Sequence, residues 1–295
     1  MTNNAWGLND SMNAMNDVFV LVDISYYMKY SANAAWRKLK SVIDVEDNLD
    51  CDPMIYPEFK EYLSGYFNHN ISSIVGRHYP MHNHACFYFC TDCQRKDIWR
   101  KDWFSGYKHK RDTIVGKFNY DGINSWVSDW MKLHNTRYNS KTIGINYAEA
   151  DDIIAILSQQ LVAKFPENDV LILSGDSDLL QLGNNQVFQI DAFGELQTIE
   201  QKLSKDKVSF EPTPNNYLIY KVLCGDSSDD IPSVKRGRCG PKMAAKLIND
   251  SESLTAYIKS EKEISEAFVR NHKLISLNSI PKLIVENILG AYYQL

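Results

Sequence analysis

No apolar run in this 295-residue chain is long enough to cross a bilayer, so no membrane span is expected. Residues 1–16 are polar and rich in asparagine, with no signal-peptide core, and a mobile tail is the expectation there. Cysteine is sparse. Six in a chain of this length do not make a disulfide scaffold, which leaves free thiols in a reducing compartment, a cytoplasm. There is no internal repeat and no long low-complexity segment, which excludes a solenoid or a linker-like chain. An overall basic excess is also absent. The formal net charge is −5, which by itself does not advertise nucleic-acid binding. What remains is the composition of an ordinary globular protein, with room for one large domain or two small ones.

The charge that is present is unevenly spread. Residues 100–141 hold nine basic side chains (Arg100, Lys101, Lys108, Lys110, Arg111, Lys117, Lys132, Arg137, Lys141) against four acidic ones. That segment is +5 and the rest of the chain −10. Trp99, Trp103, Phe104, Tyr107, Phe118, Tyr120, Trp126 and Trp130 are interleaved with it. A basic-aromatic segment on an acidic body suggests a polyanion held against a metal site.

Ten carboxylates fall into five short clusters, and three of these end an apolar run. Residues 18–22 stop at Asp23, residues 85–90 stop just before Asp92, and residues 170–173 lead through Ser174 and Gly175 to Asp176 and Asp178. Short unbroken apolar runs read as strands buried on both faces, as in a parallel sheet. Ligands of such sheets bind beyond the carboxyl ends of the strands, so these acids are expected on one edge. Packing them together is costly unless cations neutralise them, which points to divalent metal. Glu149, Asp151 and Asp152 open a helical pattern, where acids also complement the helix dipole. Asp226, Asp229 and Asp230 lie in a turn-rich stretch, where a solvated capping loop is the plainer alternative. His82, His84, Cys86, Cys90 and Cys93 invite comparison with a zinc site, but they form no two clean ligand pairs. Buried thiols beside a strand are the better account.

Along the chain, strands are expected at 18–22, 84–90, 141–145 and 169–173, with a hairpin-like extension at 186–190 and 195–199. Helical patterns cover 34–42, 58–74, 119–134 and 148–164, with a loop at 44–57 and a mainly helical stretch from 214 onward. This is an α/β chain with a mainly parallel central sheet flanked by helices and an appended helical region. The expected division is a tail to residue 16, a core from 17 to 200, and a helical region from 201 to 295.

Taken in order, these motifs resemble the flap endonuclease/5′-nuclease superfamily, and within it the branch of T-even-type bacteriophage ribonucleases H. The signature residues are Asp23, Asp92, the stretch from Trp99 through Tyr107 to Arg111, Glu149–Asp152, Asp176 and Asp178, then Gly225–Val234 and Gly240–Ile248. The resemblance implies a PIN-like nuclease core, a helical arch at about 100–140 and a helix–hairpin–helix element gripping duplex. It implies phosphodiester hydrolysis near a 5′ end, with two Mg²⁺ ions for which Mn²⁺ can substitute. Asp23, Asp92, Glu149, Asp151 and Asp176 match the first metal group. Asp178, Asp226 and Asp229 match the second, with Asp151 and Asp176 between the ions and Asp152 and Asp230 supporting from behind. Hard carboxylate oxygens suit Mg²⁺, and two ions about 4 Å apart can promote an in-line displacement.

By the same resemblance Lys108 and Arg111, with Lys110 beside them, bind the scissile phosphate and offset transition-state charge. Tyr107 matches an aromatic that stacks on a displaced base. Lys235, Arg236, Arg238, Gly240, Lys242 and Lys246 supply a duplex-phosphate surface at a hairpin. Arg238 stands where family hairpins carry a first glycine, which leaves open the turn and any monovalent cation on its carbonyls. Residues 286–293 are faintly similar to a sliding-clamp peptide, but a core-packing helix is the better account of them. The implied partners are DNA and RNA–DNA duplexes with 5′ ends or flaps, with a single-strand-binding protein and a clamp by analogy, acting on a monomer. Two rivals are a PIN-like ribonuclease acting on free RNA and a non-catalytic junction-binding protein.

Overall fold

The computed structural model describes residues 18–47, 50–78, 85–112, 118–137, 140–235 and 239–294. The tail at 1–16, Lys117, Arg236 and Arg238, as well as His82 and His84, lie outside the described residues.

Six strands form one sheet: β1 (Val18–Asp23), β2 (Ala85–Thr91), β3 (Ser140–Gly144), β4 (Asp169–Leu173), β5 (Val187–Ile190) and β6 (Leu196–Gln197). Their order is β3-β2-β1-β4-β5-β6. The first five run parallel and only β6 is antiparallel. All six residues of β1 are buried, the pattern of a strand covered on both faces. Neighbours β2 and β4 lie on opposite sides of β1, so the chain reverses its winding there. Such a switch point opens a crevice at the strands' carboxyl ends.

Two helical layers cover the sheet. Alternate residues of β1 point to opposite faces, as the period of two requires. Val18, Val20 and Val22 pack with α1 (Ile24–Lys40) and α2 (Pro57–His78). Phe19 and Leu21 pack with α5 (Ala150–Lys164) and the C-terminal helix α11 (Lys282–Gln294). Between β2 and β3 lie the short α3 (Arg100–Trp103) and the long α4 (Asp121–Arg137). The remaining helices, α6 (Ile199–Asp206), α7 (Pro214–Cys224), α8 (Pro241–Ile248), α9 (Ser251–Ser260) and α10 (Lys262–Ile275), build a third cluster around Tyr217, Tyr220 and Leu223.

Three expectations change. Within the expected arch at 100–140, of which 113–117 and 138–139 lie outside the described residues, α4 is core: Ile123 and Val127 are buried in the α1–α2 layer, and Trp126 and Trp130 pack edge-on against Phe67. Trp126 and Trp130 are core because their spacing of four places them on one face of α4. The boundary at residue 200 is crossed by α11, whose Ile284, Ile288 and Tyr292 are buried with Leu21 and Tyr88. The clamp-like turn therefore packs the core. Helix α1 begins at Ile24, ten residues before the helical pattern expected from 34, because Asp23 caps it directly, accepting from the Tyr26 amide at 2.9 Å. The thiol reading holds: all six cysteines are free, and Cys86 and Cys90 are buried in β2. Among the described residues no helix is long and apolar enough to cross a membrane.

His134 of α4 gives this packing a pH signature. Its ring lies among Trp130, Phe87 and Phe89, with Nδ1 2.9 Å from the Ser140 hydroxyl. Burial pulls its pKa down to about 4. The unfolded chain takes up this proton near pH 6.5, so His134's contribution is whole above 6.5 and is lost as pH falls toward 4. The drop in denaturant midpoint from pH 7 to pH 5 is expected to shrink in His134→Phe. An unchanged drop would show that another group sets that slope.

Candidate active site

Each acidic cluster is delivered by a local reason. Asp23 ends β1 and caps α1, and its second oxygen accepts from the Ser174 hydroxyl at 3.0 Å just beyond β4. Asp92 follows β2 and accepts from the Ala150 amide at 2.8 Å, capping α5. Asp176 caps the short 3₁₀ helix Ser177–Leu182, accepting from the Asp178 amide at 2.9 Å. Gly225 ends α7 at φ +71°, where a β-carbon would clash with the Ile231 carbonyl. The turn it starts is closed by paired backbone bonds between Asp226 and Ile231, which sets Asp226 and Asp229 facing inward, both buried. The capping explanation and the metal explanation thus apply to the same side chains.

The acids separate into two populations. Asp23, Asp92, Asp151 and Asp176 line an open cleft of about 690 Å³ at the carboxyl edge of the sheet. Burial, then the charge of Asp92, pushes the Asp23 carboxyl up to about 7. Burial and the charges of Asp176 and Asp23 push Asp151 well above the usual carboxylate range. This group carries more negative charge than its surroundings offset.

The other four ligand candidates lie beside protein cations, but the offset is incomplete: burial outweighs Lys221 at Asp178, whose carboxyl is pushed up to about 7, and burial also raises Asp229. Glu149 is held by Lys108, by Arg100 at 2.8 Å and by the Tyr107 hydroxyl at 2.9 Å. Asp229 accepts from Tyr107 at 3.0 Å and from Arg111 at 2.8 Å, with the Lys108 ammonium at 3.6 Å. Asp178 and Asp226 share the buried Lys221 ammonium, at 2.8 and 2.5 Å. Burial opposes Asp226's charge, but Lys221 and Ser228 outweigh it and hold the carboxyl at about 2. Burial likewise disfavours the Lys108 and Lys221 ammonium groups, yet their carboxylates keep both protonated far above neutrality.

Among the described residues no three Asp, Glu, His or Cys side chains are grouped tightly enough to enclose an ion as they stand. The donor set nevertheless fits a hard divalent cation. It is all oxygen, it carries uncompensated charge, and no side chain among the described residues donates to Asp151. The second group also offers only oxygens, with Lys221 standing where a cation would balance Asp178 and Asp226.

Lys108 and Arg111 line the same cleft as the first acid group. Lys108 sits at φ 53°, a left-handed conformation costing about 1–3 kcal/mol, with its amide on the Asp229 carbonyl at 2.9 Å. Asp230, also left-handed at φ 61°, accepts from the Lys110 amide at 2.7 Å and pairs with its exposed ammonium. Tyr107 is a correction. Its ring is buried and its hydroxyl bridges Glu149 and Asp229, so no face is open to a displaced base. Asp152 lies fully buried behind the site, bound twice by Arg100 at 2.7 and 3.0 Å. At the hairpin, Lys235 pairs with Glu261, while Gly240, Lys242 and Lys246 are exposed around the start of α8.

Residues missed in the sequence are Lys221, Arg100 and the α1 wall of the cleft. Tyr26, Lys29, Tyr30, Asn33 and Arg37 line that wall. Helical spacing after Asp23 carried this last signal, since Tyr26, Tyr30, Asn33 and Arg37 share one face. Lys221 and Arg100 carried none, because their partners are remote in sequence or lie across the turn.

Residues 65–210 match the model of the 5′-3′ exonuclease N-terminal resolvase-like domain. Over that stretch, just under half of its length, the chain is similar to the 5′-3′ exonucleases of the flap endonuclease/5′-nuclease superfamily. Among the superfamily's curated members, flap endonuclease Xni of Shewanella amazonensis is 36% identical over 162 residues, 53% of this chain and 56% of that protein. DNA polymerase I of Lactococcus lactis is 30% identical over 192 residues, 64% of this chain and 20% of that protein. The match therefore spans about half of one relative and a fifth of the other. The T5 D15 protein, crystallised with metal ions, superposes with a TM-score of 0.63 over 95% of this chain and 99% of its own, at 15% identity. A T5 D15 flap endonuclease pseudo-enzyme–product complex with DNA and metal ions gives 0.59 at the same identity. The 5′-nuclease fold of the superfamily is the fold found here.

Arg100 ties this arrangement together, with Nε on the Leu274 carbonyl of α10 at 2.8 Å and its other nitrogens on Glu149 and Asp152. Arg100→Ala strands a fully buried carboxylate and is expected to cost about 3–5 kcal/mol in chemical denaturation. Adding Asp152→Ala should recover part of that loss. A double variant as unstable as the sum of the singles would remove the pair from the balance.

Proposed function

We propose that this chain is a structure-specific, divalent-metal-dependent 5′ nuclease that removes RNA primers with adjoining DNA, or 5′ flaps, from duplex ends. The observation that carries this reading is one cleft with an under-neutralised carboxylate group on its floor and Lys108 and Arg111 on its wall. A pure binder of nucleic acid gains nothing from repulsive carboxylates beside phosphates.

Asp23, Asp92, Asp151 and Asp176 would hold the first Mg²⁺, with Glu149 behind them. Asp178, Asp226 and Asp229, with Asp151 and Asp176 between, would serve the second, in competition with Lys221. Bound Mg²⁺ supplies Lewis acidity at the scissile phosphate and acidifies an attacking water. The chain's own residues do the rest. Glu149 and Asp229 fix the Lys108 ammonium at the cleft, pre-set to meet charge that grows on the phosphoryl oxygens. Arg111, half-buried and held by Asp229, presents a planar guanidinium to the same phosphate. Lys29 and Arg37 on the opposite wall suit flanking phosphates. Lys242, Lys246 and the amides around Gly240 suit the duplex.

Cleavage of a 5′-overhang duplex is expected to require Mg²⁺ or Mn²⁺, with Ca²⁺ supporting binding but not turnover. Asp176→Asn should be inactive at every Mg²⁺ concentration. Robust cleavage in EDTA after exhaustive metal removal, or preference for free single-stranded RNA over duplex ends, would overturn the proposal.

Lys108→Ala is expected to lower the single-turnover rate by at least a hundred-fold with little change in duplex affinity, because its charge is needed most in the transition state. Lys242→Ala should instead weaken duplex binding and flatten its salt dependence. A Lys108→Ala rate at saturation equal to wild type would remove Lys108 from the chemistry.

A further inference from the structure

On the outer side of the segment that carries Lys108, one aromatic is left uncovered. Of the described tryptophans only Trp103 is exposed, at 62%, while Trp36 and Trp99 are buried. It borders an apolar groove of about 330 Å³ between α3 and α10, with Val269, itself 66% exposed, and the stems of Arg270 and Lys273. Cations frame the rings. The Lys273 ammonium stands over one face of the Trp103 ring, 4.9 Å from its centroid, and 5.6 Å from that of Trp99, fixed by the Ser279 carbonyl at 3.0 Å, which leaves the opposite indole face for a base. The Arg270 guanidinium lies 5.2 Å over Phe104. Glu266 is the groove's one acid.

An exposed indole with fixed cations beside it is the pairing that unpaired nucleic acid uses: a π-face for a base and positive charge for its phosphates. The groove is lined mainly by apolar side-chain surface and its volume of about 330 Å³ admits a nucleobase. Position favours the same occupant. Trp103 lies five positions before Lys108, so their Cα atoms are no more than about 18 Å apart. That is a span of about five stacked nucleotides. Arg100 anchors the start of this segment to Glu149 and Asp152, so platform and cleft belong to one braced unit.

We propose that Trp103, flanked by Lys273 and Arg270, is a stacking platform for one base of the unpaired 5′ strand, within about five nucleotides of the phosphate at Lys108. This rests on the 5′-nuclease reading for its register, but its test reads binding alone. Affinity of the full chain in Ca²⁺ is measured for a blunt duplex and for duplexes with 5′ overhangs of up to ten nucleotides. A single abasic site is then walked along the overhang. Wild type is expected to bind overhangs more tightly than blunt ends and to lose about ten-fold, the roughly 1.4 kcal/mol of one stacked base, at one abasic position. Trp103→Ala should show the same ten-fold loss on the intact overhang, no response to the abasic walk, and unchanged blunt-duplex affinity. Trp103→Phe should restore most of the difference. The proposal is overturned if Trp103→Ala weakens blunt and overhang duplexes equally, or if it binds every substrate as wild type does. The latter outcome would leave the groove to a protein partner. If the overhang pattern appears but no substrate is cleaved in Mg²⁺, the platform stands and the nuclease reading falls.

Discussion

Charge balance at the carboxyl edge of the sheet governs this molecule. A parallel sheet directs the ends of β1, β2 and β4 to one edge, and this chain places a carboxylate after each. Buried like charges repel, and removing them from water adds to the cost. The structure answers in two ways. Arg100, Lys108 and Lys221 hold Asp152, Glu149 and Asp226, Lys221 and Arg111 offset only part of the cost at Asp178 and Asp229, and the four acids on the cleft floor are left for a cation or a substrate's ions to neutralise.

This division explains why the cations are so deeply fixed. Lys108 is buried, left-handed in backbone and tied to Asp229 through both its amide and its side chain. A lysine free to move would satisfy the floor carboxylates and close the site. Holding it on Glu149 keeps its charge near the cleft without spending it on Asp151 or Asp176. The same network joins layers that local sequence would not join. Arg100 ties α3 to α5 and to α10, and Lys221 ties α7 to the turn after β4. The C-terminal helices are therefore coupled to the sheet edge by ion pairs as well as by apolar packing.

Much of the fold was legible because its signals are local. Residues 18–22 and 169–173 are apolar runs of strand length, and the structure holds both as neighbouring parallel strands. The α5 start at Glu149 was legible because acids precede an apolar helical pattern. The segment at 100–140 misled because an aromatic-rich basic helix looks the same whether its rings face nucleic acid or a core. Trp126 and Trp130 face Phe67, and only contact with α2 decides that.

By itself the sequence determined the α/β class, the strand ends that carry Asp23, Asp92 and Asp176, and the free thiols. Each follows from hydrophobic periodicity or residue type within a few positions. Tertiary structure alone decided which acids remain uncompensated. Glu149 and Asp92 are both acids following a strand, yet Glu149 meets three partners drawn from residues 100, 107 and 108, and Asp92 lines the cleft. It also decided that Tyr107 is a buried bridge while Trp103, four residues earlier, is open to solvent. Coulomb pairing and burial depend on distance in space, and for these residues that distance is set by chain crossings that no local pattern records.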